Sequence, residues 1–269
     1  MPLAFSHPKP SKPYKFIAIV ITLCLFSGCV SRAETNVTAP KDSQAAIRAS
    51  LDESDRLFSQ RSDIENLRKA VRIVSALRTP DDRNFEVEWK YAKYCFFLGK
   101  VETDQDKAGE LFEKGRAAGA IAARLQSDRP DGHFWFGANL GELARISPLT
   151  VGLKSVDDIR SSMEKVIAIE PGYQGASAFD ALGQLEMATR LFKGGKTEKA
   201  VEYYEKGIAL SPDNSNIRLH LAEAYLVLKR DAEARKQIDT ILSMKPNPEF
   251  VGEHQAVVEK AKELLSKNF

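Results

Sequence analysis

The chain has 269 residues, of which 43% are apolar and 28% charged, a composition that builds a core and excludes general disorder. Thirty-nine basic against 37 acidic residues leave a formal charge of +2, which gives no electrostatic footprint for nucleic acid. Three cysteines, 16 glycines and 12 prolines exclude a disulfide scaffold and a collagen-like chain.

Residues 1–15 carry Lys9, Lys12 and Lys15 and no acid, and residues 16–26 (FIAIVITLCLF) are continuously apolar. A basic start, a short apolar run and small residues after it predict a secretory signal over 1–28. A membrane-spanning helix would need about 20 apolar residues. The run Leu25-Phe26-Ser27-Gly28-Cys29 resembles the bacterial lipobox, with Phe26 where leucine is usual. That resemblance implies a thioether-linked diacylglycerol on Cys29 and cleavage before it. It implies a lipid-anchored, periplasm-facing envelope protein. Val30 follows the cysteine where an inner-membrane retention signal would have aspartate, so the outer membrane is favoured.

With three of the 39 basic residues removed in the signal, 36 remain against 37 acidic ones. Residues 29–44 are polar and without periodicity and are expected to form a tether. Cys24 leaves with the signal and Cys29 carries lipid, so Cys95 is the one remaining thiol. It lies in EVEWKYAKYCFFLGK at helical spacing from Trp89, Ala92 and Phe96, and is expected to be a small buried residue.

From residue 45 to 269 apolar residues recur at three- and four-residue spacing, which predicts helices and no strands. Prolines 80, 130, 148, 171, 212 and 246 punctuate the pattern, because a proline inside a helix costs about 3 kcal/mol. From Pro212 to Pro246 is one tetratricopeptide length. In that unit Leu221, Ala222 and Tyr225 fall at first-helix packing positions. Ala234, Ile238 and Ile241 fall at second-helix ones. The unit before it ends with Ala200, Tyr204, Gly207, Leu210 and Pro212 in the same frame, and LFKGGK absorbs an insertion. Another unit ends Ile159, Met163, Val166, Ile169, Pro171. The expected fold is an all-α, TPR-type solenoid of about five helical hairpins. One last helix with a stripe including Phe250, Val251, His254, Val257, Ala261 and Leu265 is expected to cap it.

GHFWFGANLGELA (132–144) followed by AIEPGYQGASAFDALGQLE (167–186) and a tetratricopeptide hairpin resembles the T-component of TRAP transporters. That resemblance implies a lipid-anchored helical body with a pore-like cavity, working beside a periplasmic solute-binding protein and handling an apolar solute.

Catalytic and metal chemistry is not suggested. GGKT at 194–197 lacks the first P-loop glycine, since Arg190 stands there, and a helix precedes it. Asp104, Asp106 and Gly109 imitate a calcium loop, but its twelfth position is Gly115 instead of an acid. His133, His220 and His254 fall in separate helices without a partner at metal spacing. No cofactor and no metal are expected. The aromatic cluster His133-Phe134-Trp135-Phe136 leaves two readings open. It is hairpin core, or His133, Trp135 and Asn139 line a cavity for an apolar ligand. Gly137 and Gly141 share a face there that would permit close helix contact. In the 215–246 unit Asn216, Leu219, His220 and Glu223 are placed at inward positions; Leu219 and Glu223 argue against a clamp for a peptide carboxylate. The expected function is a lipid-anchored, non-catalytic scaffold that binds another envelope protein, with the T-component role as the alternative.

Overall fold

The computed structural model describes residues 41–246 and 251–269. Among them are eleven α-helices and no strand. Ten helices pair in chain order as five hairpins. These are α1 (Lys41–Ser59) with α2 (Ile64–Ala76), α3 (Phe85–Val101) with α4 (Gln105–Leu125), and α5 (Pro130–Ile146) with α6 (Leu153–Ile169). Then follow α7 (Tyr173–Thr189) with α8 (Thr197–Leu210), and α9 (Ser215–Val227) with α10 (Asp231–Ser243). Helix α11 (Val251–Asn268) closes the series. The expected fold class and the count of hairpins are both present. Helix α1 begins at Lys41, so residues 41–44, assigned above to the tether, are helical. The signal segment, Cys29 and Phe250 lie outside the described residues.

The local signals explain where helices start. Asp63, Asn84, Asp104 and Asn214 each accept backbone N–H groups at a helix N-terminus, satisfying donors that have no partner in the helix itself. The imitation calcium loop is therefore a helix cap. Pro130 takes the first turn of α5, where its missing N–H costs nothing. Pro148 opens a π-helical turn, Pro148–Gly152, that joins α5 to α6. Pro171 and Pro212 fall between hairpins.

The start of α7 departs from a regular helix. Gln174, Gly175 and Ala176 have φ of 50°, 62° and 59°, a left-handed turn that only glycine tolerates readily. It is pinned from the next hairpin, where Asn214 Nδ2 donates to the Gly175 carbonyl at 2.8 Å.

The core runs along the hairpins. Leu221, Ala222, Tyr225, Ala234, Ile238 and Ile241 are all buried, as the repeat frame requires. Ala200, Tyr204 and Gly207 are buried in the preceding hairpin, and Ile159, Met163 and Val166 in the third. Cys95 is fully buried, and burial pushes its thiol up to about 12. Helix α11 sets Val257 and Ala261 against Leu219, Ile238 and Ile241. The expected cap stripe is narrower than drawn, because Val251 is 50% exposed.

Helices α4 and α5 make the closest approach. A Cβ on Gly119 would meet the Phe136 backbone nitrogen at 2.5 Å, and one on Gly115 would meet Asn139 Oδ1 at 2.2 Å. Of the two glycines expected to permit close contact, Gly137 does so against Met163 of α6. Gly141 faces open space.

Candidate functional site

First helices of neighbouring hairpins touch one another: α3 with α5, α5 with α7, and α7 with α9, with α9 then meeting α11. Among the described residues no two second helices of neighbouring hairpins touch comparably; each second helix packs instead on the first helix of the next hairpin, most extensively α4 on α5. The first helices α3, α5, α7 and α9, with α1 joined to α3 by the Asp55–Tyr94 hydrogen bond, therefore form one continuous face, the inner face of the solenoid.

That face is laced by polar bridges between side chains about one hairpin apart in sequence. Tyr94 donates to Asp55 at 2.5 Å, and Lys90 reaches the same carboxylate at 2.7 Å. Lys100 pairs with Glu142 at 2.8 Å. Tyr173 donates to Asp131 at 2.9 Å, and Arg129 lies 3.2 Å from the second carboxylate oxygen. His220 Nδ1 lies 2.7 Å from Asp180. The separations are 39 residues for Asp55–Tyr94, 42 for Lys100–Glu142 and for Asp131–Tyr173, and 40 for Asp180–His220. A side chain on one first helix thus finds its partner at the matching level of the next.

The bridges shift their members' proton affinities. Burial raises the pKa of the Tyr94 and Tyr173 hydroxyls, and the nearby Asp55 and Asp131 carboxylates add to the effect. Burial by itself would lower the His220 pKa. The Asp180 carboxylate, through charge and hydrogen bond, and Glu223 outweigh it, and the net shift is upward. The surroundings therefore favour the charged imidazolium over the neutral ring.

At the N-terminal end the first helices are joined beneath this face by buried aromatic rings. Phe58 stacks on Tyr94 with centroids 4.8 Å apart and meets Phe97 edge-on at 5.1 Å. Phe97 leads on to Trp135 at 5.9 Å. Two cations lie on these rings. The Lys93 ammonium is 4.6 Å from the Phe58 centroid, and the Arg61 guanidinium is 4.9 Å from Phe58 and 5.1 Å from Phe97. Each such contact contributes about 0.5–2 kcal/mol according to how far it is desolvated. Arg61 also donates to Glu253 of α11 at 3.0 Å, 192 residues away. The turn of the first hairpin and the last helix therefore touch at this ion pair.

The residues singled out from the sequence fall as follows. Trp135 is 1% exposed, packed among Phe96, Phe97 and Phe134. Asn139 is fully buried, and its Nδ2 donates to the carbonyls of Ala92 at 3.1 Å and Trp135 at 2.7 Å. Its Oδ1 faces Gly115 and accepts no hydrogen bond. Both therefore sit in the seam of α3, α4 and α5, the surroundings of the core reading. His133 lies at the start of α5, with Nε2 3.1 Å from the Ser127 carbonyl. Leu219, placed above at an inward position, packs instead against α10 and α11. Asn216 and Glu223 are exposed.

Sequence reasoning missed Asp180, Arg61, Lys93 and the bridges as a set. The signal was available: a repeat of about 40 residues, applied to first-helix polar positions, pairs Asp131 with Tyr173 and Asp180 with His220. Among the described residues no cluster of His, Cys, Asp or Glu is arranged to hold a metal ion. No described helix is long and apolar enough to cross a membrane.

Hairpins stacked in this way, with one continuous core and an inner face of first helices, define a TPR-type helical-repeat protein. The sequence matches the family of regulator of microtubule dynamics protein 1-3 over residues 50–268, and the chain belongs to that family. No curated protein matches the chain in sequence. Among solved structures it is similar to TTC0263, a thermophilic TPR protein of Thermus thermophilus. The TM-score is 0.59 at 17% identity, over 81% of this chain and 99% of that one, a likeness of fold alone. It is similar more distantly to PilF of Pseudomonas aeruginosa (TM-score 0.45, 18% identity, 84% of this chain and 91% of that one). For MamA the values are 0.44 and 16%, over 84% and 97%. None of these is a T-component, and the resemblance of residues 132–186 to that family gains no support from them.

Proposed function

We propose that the chain is a lipid-anchored envelope protein whose solenoid binds another protein on its inner face and performs no catalysis. The observation that carries the reading is the inner face itself. The aromatic rings beneath it and its polar bridges hold the first helices in fixed register, while Asn216 and Glu223 stay exposed beside the Asp180–His220 pair. A TPR-type solenoid uses such a face as a contact surface. The anchor rests on the lipobox-like run ending at Cys29. Two or three acyl chains hold a protein firmly to a bilayer, and one does not. Regulation of microtubule dynamics belongs to the proteins for which the family is named; an exported chain would not meet that polymer.

The test is co-purification from membranes of the full chain carrying Glu223→Arg with Asn216→Arg, against Lys236→Glu on the second helix α10. Loss of a stoichiometric partner from the first variant, with retention in the second, is expected. Equal retention in both would remove the inner face as the contact surface.

The T-component role is the finer alternative, resting on the aromatic-glycine segment and the EPGYQGAS turn. It makes the bound partner a periplasmic solute-binding protein. Identification of that partner by mass spectrometry would favour it.

A further inference from the structure

The turns inside the hairpins lie along one edge of the solenoid, and two of them expose apolar side chains. Leu191 is 84% and Phe192 63% exposed in the α7–α8 turn, and Leu149 is 85% exposed in the α5–α6 turn. Arg160, in the middle of α6, donates to Glu186 in the last turn of α7 at 2.8 Å, which ties the α7–α8 turn to the preceding hairpin.

The α7–α8 turn is built to hold its shape. The Thr189 carbonyl accepts N–H groups from Phe192, Lys193 and Gly195 at 3.2, 2.9 and 3.3 Å. Glu186 is 2% exposed and accepts the Lys196 N–H at 3.1 Å, with Lys199 3.3 Å from its other oxygen. A Cβ on Gly195 would strike the Glu186 carbonyl oxygen at 2.2 Å, and Gly194 has φ of 76°. A buried carboxylate and two glycines thus fix a turn whose tip is leucine and phenylalanine. Exposing two large apolar side chains on a rigid tip costs stability in water unless something covers them.

The chemistry around the tip says what covers it. The turn reads Arg190-Leu191-Phe192-Lys193-Gly194-Gly195-Lys196, with three exposed cations and no acid. Glu186 is buried and paired, and Glu198 is the nearest exposed acid. Apolar tips flanked by lysine and arginine match the boundary of an anionic bilayer, where the rings and chains enter the acyl region and the cations meet phosphates.

We propose that the α7–α8 turn is a membrane-docking loop: Leu191 and Phe192 insert into an anionic lipid surface, with Arg190, Lys193 and Lys196 on its headgroups. The inference rests on the anchored reading above, which keeps the solenoid beside a bilayer. A fully extended chain of twelve residues, the length from Cys29 to Pro40, spans at most about 40 Å. Docking would fix the solenoid's orientation and so set which way the inner face opens.

The test uses the full lipidated chain with Phe192→Cys carrying an environment-sensitive fluorophore. It is reconstituted into vesicles of phosphatidylcholine alone or with about a third phosphatidylglycerol. Cys95 is fully buried and resists labelling. Blue-shifted emission and quenching by lipid-borne quenchers are expected in the anionic vesicles. A label at Lys236→Cys should stay water-like. Reversing Lys193 and Lys196 to glutamate should reduce the docked fraction at least about tenfold, since each cation contributes about 1 kcal/mol near such a surface. Flotation of the chain with vesicles reads the anchor, and quenching reads the loop. A floating chain whose label at position 192 stays accessible to aqueous iodide in both vesicle types would overturn the docking and leave the anchor standing. Shielding of that label only when a second protein is present would also overturn it.

Discussion

Helices α4 and α5 close on one another through glycine, and what fills the seam is unique to it. Gly115 makes room for Asn139, whose amide ties α5 to the Ala92 carbonyl of α3. Gly119 lets the Phe136 backbone approach. In α7–α10 the same job falls to side chains in the repeat frame. The Tyr204 ring lies over Gly183, and Ile217 packs on Gly207. A Cβ on Gly119 would meet backbone, whereas one on Gly207 would meet the end of a flexible isoleucine at 2.9 Å. The C-terminal hairpins tolerate adjustment because side chains can move. The middle seam does not, because main chain faces main chain.

Substitutions should separate the two regions. Trp135→Ala removes the largest buried side chain of the seam and is expected to cost about 3–5 kcal/mol in urea unfolding. A loss below about 1 kcal/mol would show the seam to be less tightly packed than its distances imply. Gly119→Ala must move α4 off α5, at about 3 kcal/mol even after the helix-propensity gain of about 1 kcal/mol. Gly207→Ala, in the more forgiving region, should stay within about 1 kcal/mol of wild type. Equal penalties at the two glycines would erase the contrast.

Asn139→Leu keeps the size of the side chain and deprives the Ala92 carbonyl of its donor. A loss of about 1–3 kcal/mol is expected. Near-native stability together with a change in co-purifying apolar material would restore the cavity reading for Asn139.

The smallest effect belongs to the inner face of the C-terminal region. The Asp180–His220 pair holds the imidazole pKa above its ordinary value. Its stabilisation is therefore complete below about pH 6.5, the unperturbed value. It fades as the pH rises through the higher native pKa. His220→Gln should be about 1 kcal/mol less stable than wild type at about pH 6, and the gap should narrow toward about pH 9. A gap that widens with pH would mean that the neutral imidazole is the bound form.

This contrast also sets what could be read in the sequence. Ala200 matches Ala234 and Pro212 matches Pro246 at repeat spacing, so most packing positions of α8–α10 are legible, although Leu210 of the same frame is 51% exposed. Pro130 and Pro148 marked the ends of α5 without revealing the chemistry inside the seam. Gly115 and Gly119 stand four apart as Gly137 and Gly141 do, but a glycine in a helix reads only as a weak former until its neighbour is known. Gly137 and Gly141 looked equivalent, and only three-dimensional packing makes the first a contact and the second open surface. Of the site, His220 is legible as an inward residue. Its partner Asp180 is not, because the tetratricopeptide period from Pro212 to Pro246 is shorter than the 40-residue separation between Asp180 and His220.

The anchored reading supports both the proposed partner face and the docking loop, and the intact mass of the chain purified from membranes tests it most directly. The account predicts a polypeptide beginning at Cys29 and heavier than its sequence by a thioether-linked diacylglycerol, with or without an amide-linked acyl chain. Cys29→Ser should retain residues 1–28 or leave the membrane. A processed, membrane-bound chain with an unmodified Cys29, or one equally well processed as Cys29→Ser, would contradict it.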